Sequence, residues 1–171
     1  MKKIIAICAS PRKKNTYYML KTILDSSKKE YEIVFLKNLK INPCSACENC
    51  HKKPYKCSTK DRMPELCDKL EKADIVILGS PTYFDNVSGM MKNFIDRCLP
   101  FYFSRKLEGK KTVVASVGSE DAESISQCVN AMQRFCKHMG LDVVSSVYAT
   151  KSNPKSKEKE LLKIGKFISS L

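Results

Sequence analysis

The sequence predicts a doubly wound α/β domain with five parallel strands in the order 2-1-3-4-5 and helices on both faces. Three observations carry that expectation. Short apolar runs alternate with amphipathic stretches of helical period, five of each. The central run, Asp74-Ile-Val-Ile-Leu78, is nearly all apolar, as a parallel strand buried on both faces must be. The 171 residues show no composition break, repeat or linker, so residues 1–171 are expected to form one domain with a sizeable core.

The elements follow in order. Residues 3–8 are an apolar run that ends in the turn signals Ser10-Pro11, giving the first strand. The run superficially imitates a secretion leader, but it is too short, and Pro11-Arg12-Lys13-Lys14 follows at once. Asn15 or Thr16 is expected to cap the next helix, whose apolar face is Tyr17, Leu20 and Leu24. Residues 31–37 read as strand two, and a cysteine-rich loop spans about 42–59. Asp61 starts a helix that tolerates Pro64 in its first turn and carries the stripe Met63, Leu66, Cys67, Leu70. Strand three at 74–78 ends in the loop Gly79 to Phe84, and Met91, Phe94, Ile95 and Cys98 stripe the following helix. Strand four is 112–116, with Gly118-Ser119 turning out of it. The helix from about 121 to 139 is the clearest: Ile125, Cys128, Val129, Met132, Phe135, Cys136 and Met139 share a face, and Gly140 suits the C′ position. Residues 141–149 form strand five, and 156–171 a last helix.

Composition excludes several classes. Hydrophobic content of 43% is that of a globular chain, not a disordered one. No apolar run approaches the roughly 18 residues of a membrane span, so no membrane partner is expected. Nine cysteines, an odd count, with no leader point to a reducing compartment, the cytoplasm, where thiols bind metals or pack in cores. The net charge of +13 favours anions such as phosphate cofactors or acidic proteins. The alternative is a solvated, lysine-rich surface. No basic patch interleaved with aromatics supports nucleic-acid binding.

Four of the cysteines, Cys44, Cys47, Cys50 and Cys57, fall within fourteen residues. Thiols at i and i+3 can converge on one centre through a turn. Soft thiolates select an iron–sulfur cluster or zinc, and only the cluster transfers electrons. His51, beside Cys50, is a further zinc donor, and Cys67 an alternative fourth thiol. Cys67, Cys98, Cys128 and Cys136 otherwise lie on apolar helical faces, where a free cysteine packs as a small hydrophobe. Cys8 ends strand one and is expected to be buried.

In a sheet of this kind, ligands bind beyond the carboxyl ends of the strands, beside the switch between strands one and three. Loops 9–16, 79–88 and 116–121 converge there. Ser10, Arg12, Asn15 and Thr16 stand at a helix entry, with the hydroxyls, guanidinium fork and free amides that hold a phosphate. Pro81, Thr82, Tyr83 and Phe84 offer aromatic faces to a flat ring, or else belong to the core or a lid. Gly118 and Ser119 allow backbone amides to approach a ring edge.

Taken together, Ser10-Pro11-Arg12 with Asn15-Thr16, the four-cysteine loop, Ala73-Asp74-Ile75-Val76 running into Ser80-Pro81-Thr82-Tyr83-Phe84, and Gly89-Met-Met-Lys-Asn-Phe-Ile-Asp96-Arg97 resemble the NADPH-dependent FMN reductase superfamily. Within it the chain is similar to the iron–sulfur flavoproteins over about residues 3–120. The resemblance implies a flavodoxin-like fold, bound FMN and a homodimer or homotetramer. Ser10, Arg12, Asn15 and Thr16 would hold the FMN phosphate; Pro81, Thr82, Tyr83 and Phe84 would line the flavin, with Gly118 and Ser119 on its other side. Cys44, Cys47, Cys50 and Cys57 would ligate a [4Fe–4S] cluster, and the helix ending in Asp96-Arg97 resembles the family's subunit-contact and FMN-supporting helix.

The resulting expectation is a redox flavoprotein that passes electrons between FMN, the cluster and a donor or acceptor such as NAD(P)H or an acidic ferredoxin-like carrier. The flavin carries the chemistry, so no catalytic side chain is expected. One alternative is a cluster-free NAD(P)H-dependent flavin, quinone or nitro reductase whose loop holds zinc or free thiols. Another is a non-enzymatic electron-transfer or redox-sensing module.

Overall fold

The computed structural model describes residues 2–171. Five parallel strands, β1 (Ile4–Cys8), β2 (Tyr31–Phe35), β3 (Ile75–Tyr83), β5 (Lys111–Val117) and β6 (Asp142–Ala149), lie in the order β2-β1-β3-β5-β6. Counted without the short β4, this is the predicted order 2-1-3-4-5. β4 (Asn86–Val87) is a two-residue antiparallel strand on the end of β3, too short to leave a periodic signal. β3 also outruns its apolar stretch. It keeps pairing with β5 as far as Pro81↔Val117, because proline's missing N–H matters little at the end of a ladder.

Alternation along the strands builds two cores. Ile4, Ala6 and Cys8 face α1 (Asn15–Ser27) and α6 (Glu158–Ser170). Ile5, Ile7 and Ala9 face the layer of α2 (Met63–Lys72), α3 (Gly89–Arg97), α4 (Leu99–Ser104) and α5 (Ala122–Met139). Asp121 caps α5 by accepting the N–H of Ser124 at 2.9 Å, and Gly140 closes it at φ +72°. Ser88 caps α3. The six-residue α4 is unforeseen in the sequence: it buries only Pro100 and Phe101, too few residues to show a helical period. α2 begins at Met63 rather than Asp61, whose carboxylate bonds instead to the Met63 N–H and to Arg97.

Helices α1 and α6 cross in very close contact at Gly165. A Cβ there would stand 2.3 Å from the carbonyl oxygen of Ile23 and 1.9 Å from Ser26 Oγ. Ser26 can swing away, but the Ile23 backbone cannot. Gly165→Ala is therefore expected to destabilise by about 1–3 kcal/mol through overpacking, although alanine is the better helix former by about 1 kcal/mol. A urea titration reads this directly, and a midpoint at or above wild type would show that the helices have room.

Candidate functional site

The carboxyl ends of β1, β3 and β5 open into a cavity of about 420 Å³ beside the β1/β3 switch. This volume suits a small molecule or cofactor. Ser10, Arg12, Asn15, Thr16, Pro81, Thr82, Tyr83, Gly118 and Ser119 all line it.

One end of the cavity is built for an anion. Ser10 Oγ accepts the N–H of Arg12 at 3.2 Å and donates to its carbonyl at 2.8 Å, which curls the loop ahead of α1. The helix then starts at Asn15 with Lys14 in the capping position and no side-chain cap. The expected cap is diverted: Asn15 Nδ2 donates to the Ser152 carbonyl at 2.8 Å, and Thr16 is buried. The first turn of α1 holds no acidic side chain, and Arg12 and Lys14 stand on the cavity wall beside it. Uncapped amides, the positive end of a thirteen-residue helix and two cations are features that suit an anion such as a phosphate.

The other end lies between the carboxyl ends of β3 and β5. Thr82 Oγ1 and Ser116 Oγ lie 3.0 Å apart, and Ser116 donates to the Ser80 carbonyl at 3.1 Å, so β3 and β5 are pinned where they form the wall. A Cβ on Gly118 would stand 2.6 Å from Glu120 Oε2, 3.1 Å from Thr82 Cβ and 3.2 Å from Ile125 Cγ1, so a side chain there would crowd its neighbours. The residues present thus fit a phosphate-bearing cofactor with a planar ring.

Phe84 stands apart from the lining residues. It is 100% exposed at φ +49°, followed by Asp85 at φ +58°, and Asp85 accepts a hydrogen bond from Ser124 on α5 that holds the turn. Lys14, Val117, Glu120 and Ser152 line the cavity without having been singled out in the sequence. Ser152 arrives there because its N–H donates to the Gly118 carbonyl at 2.6 Å, a contact that no local pattern announces.

The cysteine loop lies elsewhere, against α3 and α4. Cys44 and Cys47 are exposed, Cys57 is half-buried and Cys50 is buried. Hydrogen bonds from Ser58 and the Asn49 backbone hold the Cys47 thiol below its ordinary pKa. Burial pushes Cys50 up, and the charges of Cys57, Cys44 and Cys47 push it further, so the four thiols are electrostatic neighbours. Ala46 (φ +53°) and Glu48 (φ +58°) flank Cys47 with the left-handed backbone from which amide-lined concavities are made. Among the described residues, however, no three His, Cys, Asp or Glu side chains stand together as a metal-ligand set. In chemistry the donors fit a thiolate-bound cluster; the side chains must draw together to hold one.

His51 packs against Phe103, ring centroids 4.7 Å apart. Cys8, Cys98, Cys128 and Cys136 are buried. Cys67 is only half-buried and shares a cavity of about 140 Å³ with Cys57. Burial still pushes its thiol up to about 12. Asp61 and Arg97 tie the ends of the loop to α3; the sequence marks them only as a helix start and as the end of a subunit-contact helix, not as a buried pair. Their signal is an arginine set among the buried residues of an apolar helix face. Among the described residues, no helix is long and apolar enough to cross a membrane.

A family model described as NADPH-dependent FMN reductase matches residues 2–154. A protein of Archaeoglobus fulgidus named iron-sulfur flavoprotein is 43% identical over 98 residues, 56% of this chain and 48% of that one. A second so named from the same organism is 38% identical over 134 residues, 75% of this chain and 60% of that one. The chain thus spans about half to three-fifths of the length of these relatives. Among solved structures, oxidised flavodoxin 1 from Bacillus cereus superposes with a TM-score of 0.70 at 20% identity, covering 99% of each chain. The fold is flavodoxin-like.

Proposed function

The chain belongs to the NADPH-dependent FMN reductase family, and from that premise we propose that it is an FMN-dependent oxidoreductase of the iron–sulfur flavoprotein kind. The observation that carries the reading is the uncapped N-terminus of α1, which opens with Ser10, Arg12 and Thr16 onto the cavity at the sheet switch. When bound there, FMN supplies hydride and single-electron chemistry. The residues supply position. Arg12, Lys14 and the first amides of α1 neutralise the phosphate. Pro81, Thr82 and Tyr83 form one wall for the ring, kept rigid by the Thr82–Ser116 contact, and Gly118 with Ser119 brings backbone to the other side. Cys44, Cys47, Cys50 and Cys57 would hold a [4Fe–4S] cluster, which would supply single-electron transfer to or from a donor or acceptor such as NAD(P)H or a ferredoxin. The assembly is a homodimer or homotetramer, and the compartment is the cytoplasm.

A net charge of +13 steers an acidic carrier or NADPH toward the chain. Electron transfer from a reduced acidic ferredoxin should therefore slow steeply as salt rises; a flat salt profile would remove the steering claim.

The second reading is a cluster-free NAD(P)H-dependent flavin, quinone or nitro reductase with zinc or free thiols in the loop. Its free-thiol form draws on the separation of the cysteine side chains; zinc, like a cluster, would need them drawn together. The visible spectrum of anaerobically purified protein, before and after dithionite, with iron and sulfide analysis, separates the two. Flavin bands with a broad, reducible shoulder and about four irons per flavin support the cluster. Flavin bands alone favour the second reading, and no flavin at all overturns both.

A further inference from the structure

Both ends of the cysteine loop are tied to one arginine. The Arg97 side chain, in the last turn of α3, is fully buried. Its Nη1 donates to the Asn42 carbonyl and to Asp61 Oδ2, each at 2.6 Å, and its Nη2 to Asp61 Oδ1 at 3.1 Å. Asp61 also accepts the N–H groups of Asn42 and Met63, both at 2.9 Å, so its carboxylate is fully engaged. One turn earlier on the same helix, Asn93 Nδ2 donates to the Ile41 carbonyl at 2.7 Å. Residues 41–42 and 61, where the loop leaves and rejoins the domain, are thereby fastened to α3.

A loop anchor explains the two Nη groups. It does not explain Nε, which is buried and has no hydrogen-bond partner. Buried guanidinium N–H groups are rarely left unpaired. Burial works against the charged guanidinium, and Asp61 first and the Cys57 side chain after it outweigh that cost, so Cys57 lies within reach of the arginine head. A neutral thiol is a weak acceptor; a thiolate, free or metal-bound, is a strong one.

We propose that Arg97 is a positioning residue for the thiol site, closing the loop at Asn42 and Asp61 and directing its remaining N–H at the Cys57 sulfur when that sulfur is a metal-bound thiolate. The proposal rests on reading the cysteine loop as a metal site. Arg97 then does for a thiolate what the hydrogen-bond partners of ligating histidines do for theirs.

The test uses the full chain, reduced and freed of iron, with Co²⁺ as probe. The wild type should develop sulfur-to-cobalt charge-transfer bands. Arg97→Lys keeps the charge but lacks the fork and Nε, and it should bind Co²⁺ about 10–100-fold more weakly, with the bands displaced. In a Cys57→Ser background the same Arg97 change should have little further effect, a coupling that general loosening of the fold would not produce. Because Arg97→Lys could fail to fold, the wild type is also followed by ¹⁵N NMR: the Arg97 Nε–H resonance should move downfield when Zn²⁺ is added. Cobalt bands that Arg97→Lys leaves unchanged, or an Nε–H resonance that Zn²⁺ leaves in place, would overturn the proposal alone. A wild type without thiolate–cobalt bands would overturn the metal reading and the Cys57 contact with it.

Discussion

Asp61→Ala should lower the stability of the chain by about 3–5 kcal/mol, the cost of leaving a buried charge without its partner. The Asp61 and Arg97 side chains are 3% and 0% exposed, so water cannot take the carboxylate's place. The same change strips the Asn42 and Met63 N–H groups of their acceptor. Exposed pairs such as Lys92–Asp96 are a different matter and contribute about 0–1 kcal/mol. Asp96→Ala is therefore the control. Removing both buried partners, as Asp61→Leu with Arg97→Met, should cost less than removing Asp61 alone, since no charge is stranded. The pair also sets an acid limit. Burial works to raise the Asp61 carboxyl, but Arg97 and the N–H groups of Met63 and Asn42 outweigh it and hold the pKa below the ordinary value. A group depressed in the folded state contributes its stability in full above the unfolded pKa of about 3.9 and loses it as pH falls through the lower folded value. Wild type should therefore lose stability steeply below about pH 4, and Asp61→Ala should lack that part of the slope. Urea midpoints at pH 7 and pH 3 measure both claims. An Asp61→Ala midpoint no lower than that of Asp96→Ala would refute the first.

What the sequence reveals and conceals follows from how local each signal is. Ile4-Ile-Ala-Ile-Cys8 is buried at every position, so its apolarity needs no context to read as a central strand. The seven apolar residues of α5 from Ile125 to Met139 repeat at helical spacing and are all buried. The three strand-end loops are legible because the order of elements alone places them at one edge. Residues whose role depends on a distant partner are harder. Asn15 carries the signal of a helix cap, but the residue types that cap a helix are also those that serve a ligand or a neighbouring loop, and Ser152, 137 positions on, claims its amide. Arg97 sits where a helix-end cation is ordinary; only Asp61, 36 residues earlier, makes it a buried clamp. Phe84 follows Tyr83 in sequence but leaves the strand into a left-handed turn, which carries its ring into solvent and off the cavity wall. The thiol loop reveals its donors through spacing, while their separations depend on a backbone without repeating structure.

The two ends of the cavity should answer differently to substitution. Arg12→Ala should weaken FMN binding about 10–100-fold, because a hydrogen bond to a charged group contributes about 1.5–3 kcal/mol and each 1.4 kcal/mol is tenfold in affinity. Riboflavin has the same ring and no phosphate, so its affinity should hardly respond. Gly118→Val should do the reverse of this discrimination. Its Cβ would intrude 3.1 Å from Thr82 Cβ, with the branch pressing further into the gap where the ring is expected, so FMN and riboflavin should suffer alike. Flavin fluorescence titrations of the two variants with the two ligands give four affinities. Only the Arg12→Ala and FMN pair, and both Gly118→Val pairs, should be impaired. Equal loss of riboflavin and FMN in Arg12→Ala would mean that Arg12 contacts the ring, and the orientation would have to be reversed. An unchanged FMN affinity in that variant would leave the phosphate to Lys14 and the amides of α1 alone. Adding Lys14→Ala to Arg12→Ala separates those two sources: a further fall in FMN affinity assigns the phosphate to Lys14, and no further fall leaves it to the amides of α1.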